Sequence, residues 1–303
     1  MFNFLKPKIT VATHNGSFHA DDVFACATLS IWAEKNGKRI KIIRSRDPEI
    51  IERVDIVVDV GNIYDPEKNR FDHHQKGGAG ARENNIPYAS FGLVWKHYGE
   101  KICSKEIAET IDKRLVTPID AEDNGVNISS PSELGICEYT VGDAIHNIRR
   151  GLEGEKALRR EFNKCLYFAE DILKGEINTA KLNMEGKKYT LEAIEKQNRP
   201  RILILDKYVQ WKEAVIDYKN IKFVVTPNRG GLDWNIQTVR DDLSVYGSDR
   251  IKFPEEWRGV RDENLTQISG VVGAIFCHKG GFLAGAKTKE AALRLAQKAL
   301  DML

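Results

Sequence analysis

Four short segments in the first half of the chain combine histidine and aspartate in a way that neither core packing nor a plain surface requires. THNGSFHADD (13–22) offers His14, His19, Asp21 and Asp22, and DVGNIYD (59–65) offers Asp59. FDHHQ (71–75) offers Asp72, His73 and His74, and PIDAEDNG (118–125) offers Asp120 and Asp123. Each segment has an ordinary reading by itself. Asp21 or Asp22 would cap the helix that follows, Asp59 would form a turn after a strand, and Asp-Asn-Gly is a turn signal. Adjacent imidazoles on a strand point to opposite faces, and in a chain with seven histidines the pair alone says little. Together the clusters supply at least three histidines and four aspartates. Mixed imidazole and carboxylate donors without thiolate suit Mn²⁺, Mg²⁺ or Zn²⁺, and the carboxylate excess favours Mn²⁺. Two such ions about 3.5–4 Å apart stabilise both the attacking and the leaving oxygen of a phosphoryl displacement. Asp59, from a middle strand, is the natural bridge between them. Asp120 and Asp123 share a helical face if the helix persists that far.

These side chains converge only if the elements beneath them form one sheet edge. KITVATH reads as a strand, ADDVFACATLSIWAEKNGK as a helix stopped near Asn36 and Gly37, and IKIIRSR as a strand. DPEIIERV reads as a short helix opened by Asp-Pro and DIVVDVG as a buried strand. That β-α-β-α-β order is the signature of a parallel sheet covered by helices on both faces. Ligands of such sheets collect at the carboxyl ends of the strands, where the first three clusters lie. NRFDHHQ reads as a further short strand, and ASFGLVWKHYGEKI and KEIAETIDKRLVTPIDAEDNG as helices. Residues 131–188 read as mostly helical with a charged outer face, either a linker or an elaboration of the first domain. Beyond 189, RILILD, AVIDYK, KFVVTPN, WNIQTVR, VVGAIFCHKGG and FLAGAK read as strands, and TKEAALRLAQKALDML as a closing helix. The expected fold is α/β, with an N-terminal parallel-sheet domain over 1–130 and a smaller C-terminal α/β domain over 189–303.

With 303 residues, 42% hydrophobic and 30% charged, the chain suits globular domains and not disorder. A net charge of +2 provides no global field for nucleic acid, so such binding would need a local basic patch. Cys26, Cys103, Cys137, Cys165 and Cys277 are odd in number and lack C-x-x-C pairing, which argues against a disulfide framework and for a reducing compartment. The opening MFNFLKPKITVATHNG has no apolar run of signal or membrane length, so the expectation is a cytoplasmic enzyme with no membrane partner.

The strand-end aspartate, the DHH triplet, the N-terminal His/Asp cluster and the later aspartate resemble the DHH phosphoesterase superfamily. THNGSFHADDVFA, DVGNIYDPEKNRFDHHQ, GARENNIPYASFGLVWKHYG and DAEDNG, with PEEWRGVRDENL and FCHKGGFLAGAKTKEAAL, are similar to its melanocyte-proliferating-gene (MYG) exonuclease branch, in order and over nearly the whole chain. The resemblance implies an N-terminal DHH-type catalytic domain and two divalent ions, Mn²⁺ first, with Mg²⁺ or Zn²⁺ as alternatives. It implies 3′–5′ exonuclease activity on single-stranded RNA or short oligonucleotides. A small-molecule phosphatase or pyrophosphatase, and a metal-binding regulatory protein without catalysis, are the competing readings. The implied metal ligands are His14, His19, Asp21, Asp59, His73 and Asp123, with Asp22 competing with Asp21 and Asp120 with Asp123. The superfamily's opening pattern is His-x3-Asp-x-Asp, whereas His14-x4-His19-x-Asp21 puts His19 where an aspartate is usual.

Asp72 would orient His73, and His74 would face the substrate phosphate, so this pair is implied as catalytic. Asn15, Gln75 and Arg82, inside the same motifs, are candidate substrate contacts. The C-terminal domain would close on the phosphate through TPNRGGLDW (226–234) or FCHKGGFLAG (276–285). Gly230, Gly231, Gly280 and Gly281 would let backbone amides approach an anion, and Arg229 and His278 would add charge-assisted bonds. Each Gly-Gly is equally a hairpin turn signal, and Trp234 either stacks on a base or packs in a core. A homodimer is the assembly considered.

Overall fold

The computed structural model describes residues 6–130 and 134–302. β1 (Lys8–Thr13), α1 (Ala20–Lys35), β2 (Arg39–Arg44), α2 (Pro48–Arg53) and β3 (Ile56–Val58) follow the expected order. α2 starts where the Asp47 carboxylate accepts from Glu49 N at 2.9 Å and Pro48 occupies the first turn, where its missing N–H costs nothing. β4 (Tyr64–Asp65) and β5 (Arg70–Phe71) complete a five-stranded sheet in the order β2-β1-β3-β5-β4. The β1–β2, β1–β3 and β3–β5 pairs are parallel, while β4 runs antiparallel to β5. The expected parallel sheet therefore has one antiparallel edge, invisible in the sequence because a two-residue strand has no periodicity. Only Arg70 and Phe71 of NRFDHHQ pair in the sheet, and the DHH triplet lies beyond the strand end.

Alternation sorts the strand residues between two faces. Val11, Ile56, Val58 and Phe71 pack in the larger core with residues of α1 and of α3 (Ser90–Ile102), whereas Ala12 and Val57 pack with Ile50 and Ile51 of α2. Helices thus cover both faces. α4 (Lys105–Ile111) continues through a π-turn at Asp112–Val116 into α5 (Thr117–Asp123), so the helix does persist to Asp123. α6 (Val141–Arg149) and α7 (Glu155–Lys196) follow.

The chain's contacts divide it between Ala180 and Lys181. Ile145 of α6 and Phe162, Cys165, Leu166, Ala169 and Leu173 of α7 lie in the first unit's core, so this stretch elaborates the first unit. The second unit has its own five-stranded sheet in the order β6-β7-β8-β10-β9, from β6 (Ile202–Ile204), β7 (Phe223–Pro227), β8 (Trp234–Thr238), β9 (Ala274–Cys277) and β10 (Leu283–Ala286). Its helices are the end of α7 from Lys181 onward, α8 (Lys212–Val215), α9 (Asp262–Ser269) and α10 (Lys289–Asp301). AVIDYK, expected as a strand, is instead the end of α8 and a turn. The cause is tertiary. The buried Arg250 guanidinium donates to the carbonyls of Val215, Ile216, Tyr218 and Ile221, which a strand would have turned towards neighbouring strands. No helix among the described residues is long and apolar enough to cross a membrane.

Candidate metal centre

The chain leaves β1 for β2 on one side and then returns to place β3 on the other, so the carboxyl end of β1 is a topological switch point. His14 directly follows β1, Asp59 directly follows β3, and the DHH triplet follows β5. Since these three strands are parallel, the residues after them emerge at one edge. Asp59 takes a left-handed backbone (φ +56°), which aspartate tolerates better than most residues, while its N–H still bonds Phe71 O at 3.1 Å.

Three overlapping donor sets result, each with ligand atoms within 4.8 Å of one another: His14, His19, Asp22 and Asp59; Asp59, His73 and His74; and Asp21, His73 and Asp123. Asp59 and His73 join them. His14 Nδ1 meets Asn15 O at 3.1 Å, which directs Nε2 to Asp59 (3.3 Å) and Asp22 (3.4 Å). Asn15 thus serves the site through its backbone carbonyl. His73 Nε2 lies 3.2 Å from Asp123 and 3.5 Å from Asp59.

Asp21 and Asp22 divide the work differently from the implied ligand set. Asp22 joins the His14 and His19 group; its Oδ1 also accepts His19 N at 2.8 Å, closing the first turn of α1. Asp21 faces His73 and Asp123, but its two oxygens already accept Phe91 N (2.6 Å) and Ser90 N (3.0 Å) at the start of α3. Ser90 Oγ donates to Asp59 Oδ1 at 3.2 Å, a contact that no motif announced. Asp120 is drawn away from the centre: it accepts Gly92 N at 2.9 Å and pairs with Arg82 at 2.6 Å. Gly92 is obligatory there, since a Cβ would collide with the Asp120 carboxylate.

Arg82, expected to touch substrate, spends its remaining donors on Asp112 at 2.8 and 3.1 Å and lies buried against the Tyr88 ring. Its role here is to hold its own loop to the helix ending at Asp123. Gln75 folds into its own loop, donating to Gly78 O at 3.0 Å. Asp72, expected to orient His73, reaches that residue only through its backbone N–H (2.8 Å). The ring it holds is His74, whose Nδ1 lies 2.7 Å away. His74 is 56% exposed against 9% for His73, so the two histidines do have unequal surroundings.

The charges are strongly coupled. Although burial pushes Asp59 up, the rings of His14 and His73 hold it well below the usual carboxylate range. Burial would lower His73, yet Asp123 and Asp59 raise it to about 11; His14 is raised against burial by Asp59 and Asp22. Burial pushes Asp22 up to about 7 despite His14, and burial with Asp59, Asp123 and Asp120 pushes Asp21 well up. Burial, then the neighbouring His14, lowers His19. Among the buried polar atoms, Asp22 Oδ2 and His73 Nε2 make no hydrogen bond, because their close neighbours lie outside hydrogen-bonding angles. A buried acceptor and a buried imidazole nitrogen without partners are costly, and both converge on Asp59. The donor set therefore fits divalent cations, with oxygen and nitrogen donors and no thiolate.

Two cavities share His19, Asp59 and His74. One, about 690 Å³, runs between Pro48 and Ile51 of α2 and the Val60–Ile63 loop, with Arg46 at its edge. The other, about 460 Å³, is lined by Asp21, His73, Asp123 and Glu122 together with His146 and Arg149 of α6. The sequence reading has 131–188 as mostly helical but does not single out His146 and Arg149, although Thr140 and Asp143 form a capping-box signature at the start of α6. The remaining candidates belong to the second unit. Arg229, Gly230 and Gly231 form the β7–β8 hairpin turn, and His278, Gly280 and Gly281 the β9–β10 turn, with His278 Nδ1 accepting Gly280 N at 3.0 Å. Trp234 packs on that unit's core.

A family model named for the MYG1 exonuclease, described as uncharacterised protein family UPF0160, matches residues 10–300. The MYG1 protein of Dictyostelium discoideum is 34% identical, covering 97% of this chain and 97% of its own. MYG1 exonuclease of Homo sapiens is 30% identical over 96% of this chain and 85% of its own. A crystal structure of exonuclease RecJ bound to manganese aligns with 97% of this chain and 89% of its own, at 13% identity and a TM-score of 0.28.

Proposed function

The chain belongs to the MYG1 exonuclease family, and from that premise we propose that its His/Asp centre hydrolyses phosphodiester bonds at the end of single-stranded nucleic acid. The observation that carries this reading is the set of three donor groups linked through Asp59 and His73, with two buried ligand atoms left unpartnered. His14, His19 and Asp22 would hold one divalent ion and His73 and Asp123, with Asp21 beside them, a second, Asp59 serving both. Mn²⁺ is the preferred ion for this donor chemistry. Bound there, such ions supply Lewis acidity toward a phosphoryl oxygen and lower the pKa of water.

The chain's own residues do the rest. His14 is oriented by Asn15 O, and Asp123 is placed by the end of α5. Asp72 accepts from His74 Nδ1, so the exposed ring keeps Nε2 for the substrate. Single-stranded RNA or short oligonucleotides, trimmed 3′ to 5′, are the substrates we infer, and the unpaired cysteines support action in the reducing cytoplasm.

Purified protein with Mn²⁺ is given single-stranded RNA and DNA labelled at either end, a dinucleotide and pyrophosphate, beside His73→Ala. Mononucleotides released from the 3′ end of RNA, and lost in the variant, are expected. Hydrolysis of pyrophosphate alone would overturn the reading.

A further inference from the structure

The smaller cavity contains a feature that the donor sets do not use. Among the described residues Arg149 is the sole Lys or Arg lining that cavity, which Asp21, Asp59, Asp123 and Glu122 also line. Its Nε is buried without a hydrogen-bond partner, and among the described residues no carboxylate lies within ion-pair distance of it. A structural arginine in such surroundings would normally be bidentate to an acid, as Arg82 is to Asp112. Arg149 Nη2 instead lies 3.0 Å from His146 Nδ1. A guanidinium can only donate, so His146 Nδ1 accepts and the ring's proton sits on Nε2. The pair, one helical turn apart on one face, therefore offers an unpaired guanidinium edge and an imidazole N–H.

Its placement is built into the fold. Thr140 Oγ accepts Asp143 N at 3.0 Å and the Asp143 carboxylate accepts Thr140 N at 2.8 Å, fixing the start of α6. Gly142 lets α6 approach α5 so closely that a Cβ there would collide with the Glu122 carboxylate. Ile145 anchors the opposite side in the core.

We propose that Arg149 and His146 form the phosphate-binding wall of the centre, taking the non-bridging oxygens of a nucleotide phosphate. Resting on the nuclease reading, the assignment gives the first unit its own anion contact, independent of the Gly-Gly turns of the second. A planar fork suits two phosphate oxygens.

The test uses the full chain loaded with Mn²⁺ and the variants Arg149→Gln, Arg149→Lys and His146→Gln. Three quantities are measured: AMP binding by calorimetry, which needs no turnover; kcat and KM on a short single-stranded RNA; and Mn²⁺ affinity. Arg149→Gln is expected to lower AMP affinity and kcat/KM about 100-fold with Mn²⁺ affinity unchanged. Arg149→Lys should recover part of the loss, because charge returns without the fork, and His146→Gln should lose about tenfold. Unaltered AMP binding in Arg149→Gln, or a loss matched by equal loss of Mn²⁺ affinity, overturns the proposal. Should the wild type cleave no oligonucleotide while AMP binding still depends on Arg149, the nuclease reading falls and the phosphate wall stands.

Discussion

Divalent cations enter this centre by displacing protons, and the structure says from which groups. His73, held at about 11 by Asp123 and Asp59 against burial, carries a full proton at pH 7 that occupies the nitrogen a cation would need. Asp22, pushed up to about 7 by burial, carries about half of one. Loading at pH 7 should therefore release at least about 1.5 protons, counted on these two groups alone, and His14 and Asp21, also raised, add to the number. The sign follows from competition: cation and proton want the same atoms, so affinity rises with pH. A release of about 1.5 protons corresponds to about 30-fold tighter binding per pH unit near neutrality. As Asp22 ionises at higher pH the slope should fall, with His73 still contributing about tenfold per unit. Calorimetric titration of chelator-treated protein with Mn²⁺, in buffers of different ionisation enthalpy, reads the protons directly. His73→Ala should remove about one of them. A binding heat indifferent to the buffer, or an unchanged release in His73→Ala, would refute the reasoning.

Three further outcomes follow from particular contacts. Asp72→Asn weakens the hold on the His74 ring and leaves the His73 nitrogen facing Asp59 and Asp123, so cleavage should fall about 10- to 100-fold with little change in Mn²⁺ affinity; a large affinity loss would place Asp72 behind His73 after all. Arg82→Leu strands the fully buried Asp120 carboxylate and should cost about 3–5 kcal/mol in urea unfolding, much of it recovered by adding Asp120→Asn. No recovery in the double variant would show that Arg82 acts through Asp112 instead. Arg250→Ala leaves four carbonyls of the α8 turn without their donor and should cost about 3 kcal/mol, seen as a lower Tm; a loss below about 1 kcal/mol would mean that water replaces the guanidinium.

The first half of the fold was legible because its strands are short apolar runs separated by helices with clear stops. Asn36 and Gly37 end α1, and Asp47 with Pro48 opens α2, where expected. AVIDYK misled because its apolar pairs suit a strand locally, and only Arg250, remote in sequence, turns its carbonyls inward. The clusters at the centre were legible for a topological reason: parallel strands deliver whatever follows them to one edge. The partners within the centre were not. Asp21 and Asp22 are neighbours on a helix and so point about 100° apart; the rotation of α1, set by packing Val23, Phe24 and Ala27 in the core, sends Asp22 to His14 and Asp21 to α3.

From its residues alone, this protein owns an α/β scaffold and a collection of oxygen and nitrogen donors suited to divalent cations, because residue type and strand-end position are local properties. Tertiary structure decided which donors face each other. It set Asp72 against His74, withdrew Asp120 and Arg82 into a buried ion pair, and brought Arg149 of α6 to a cavity that His73 also lines. Those pairings depend on helix rotation and on contacts between segments far apart in the chain, which side-chain packing selects and no local pattern encodes.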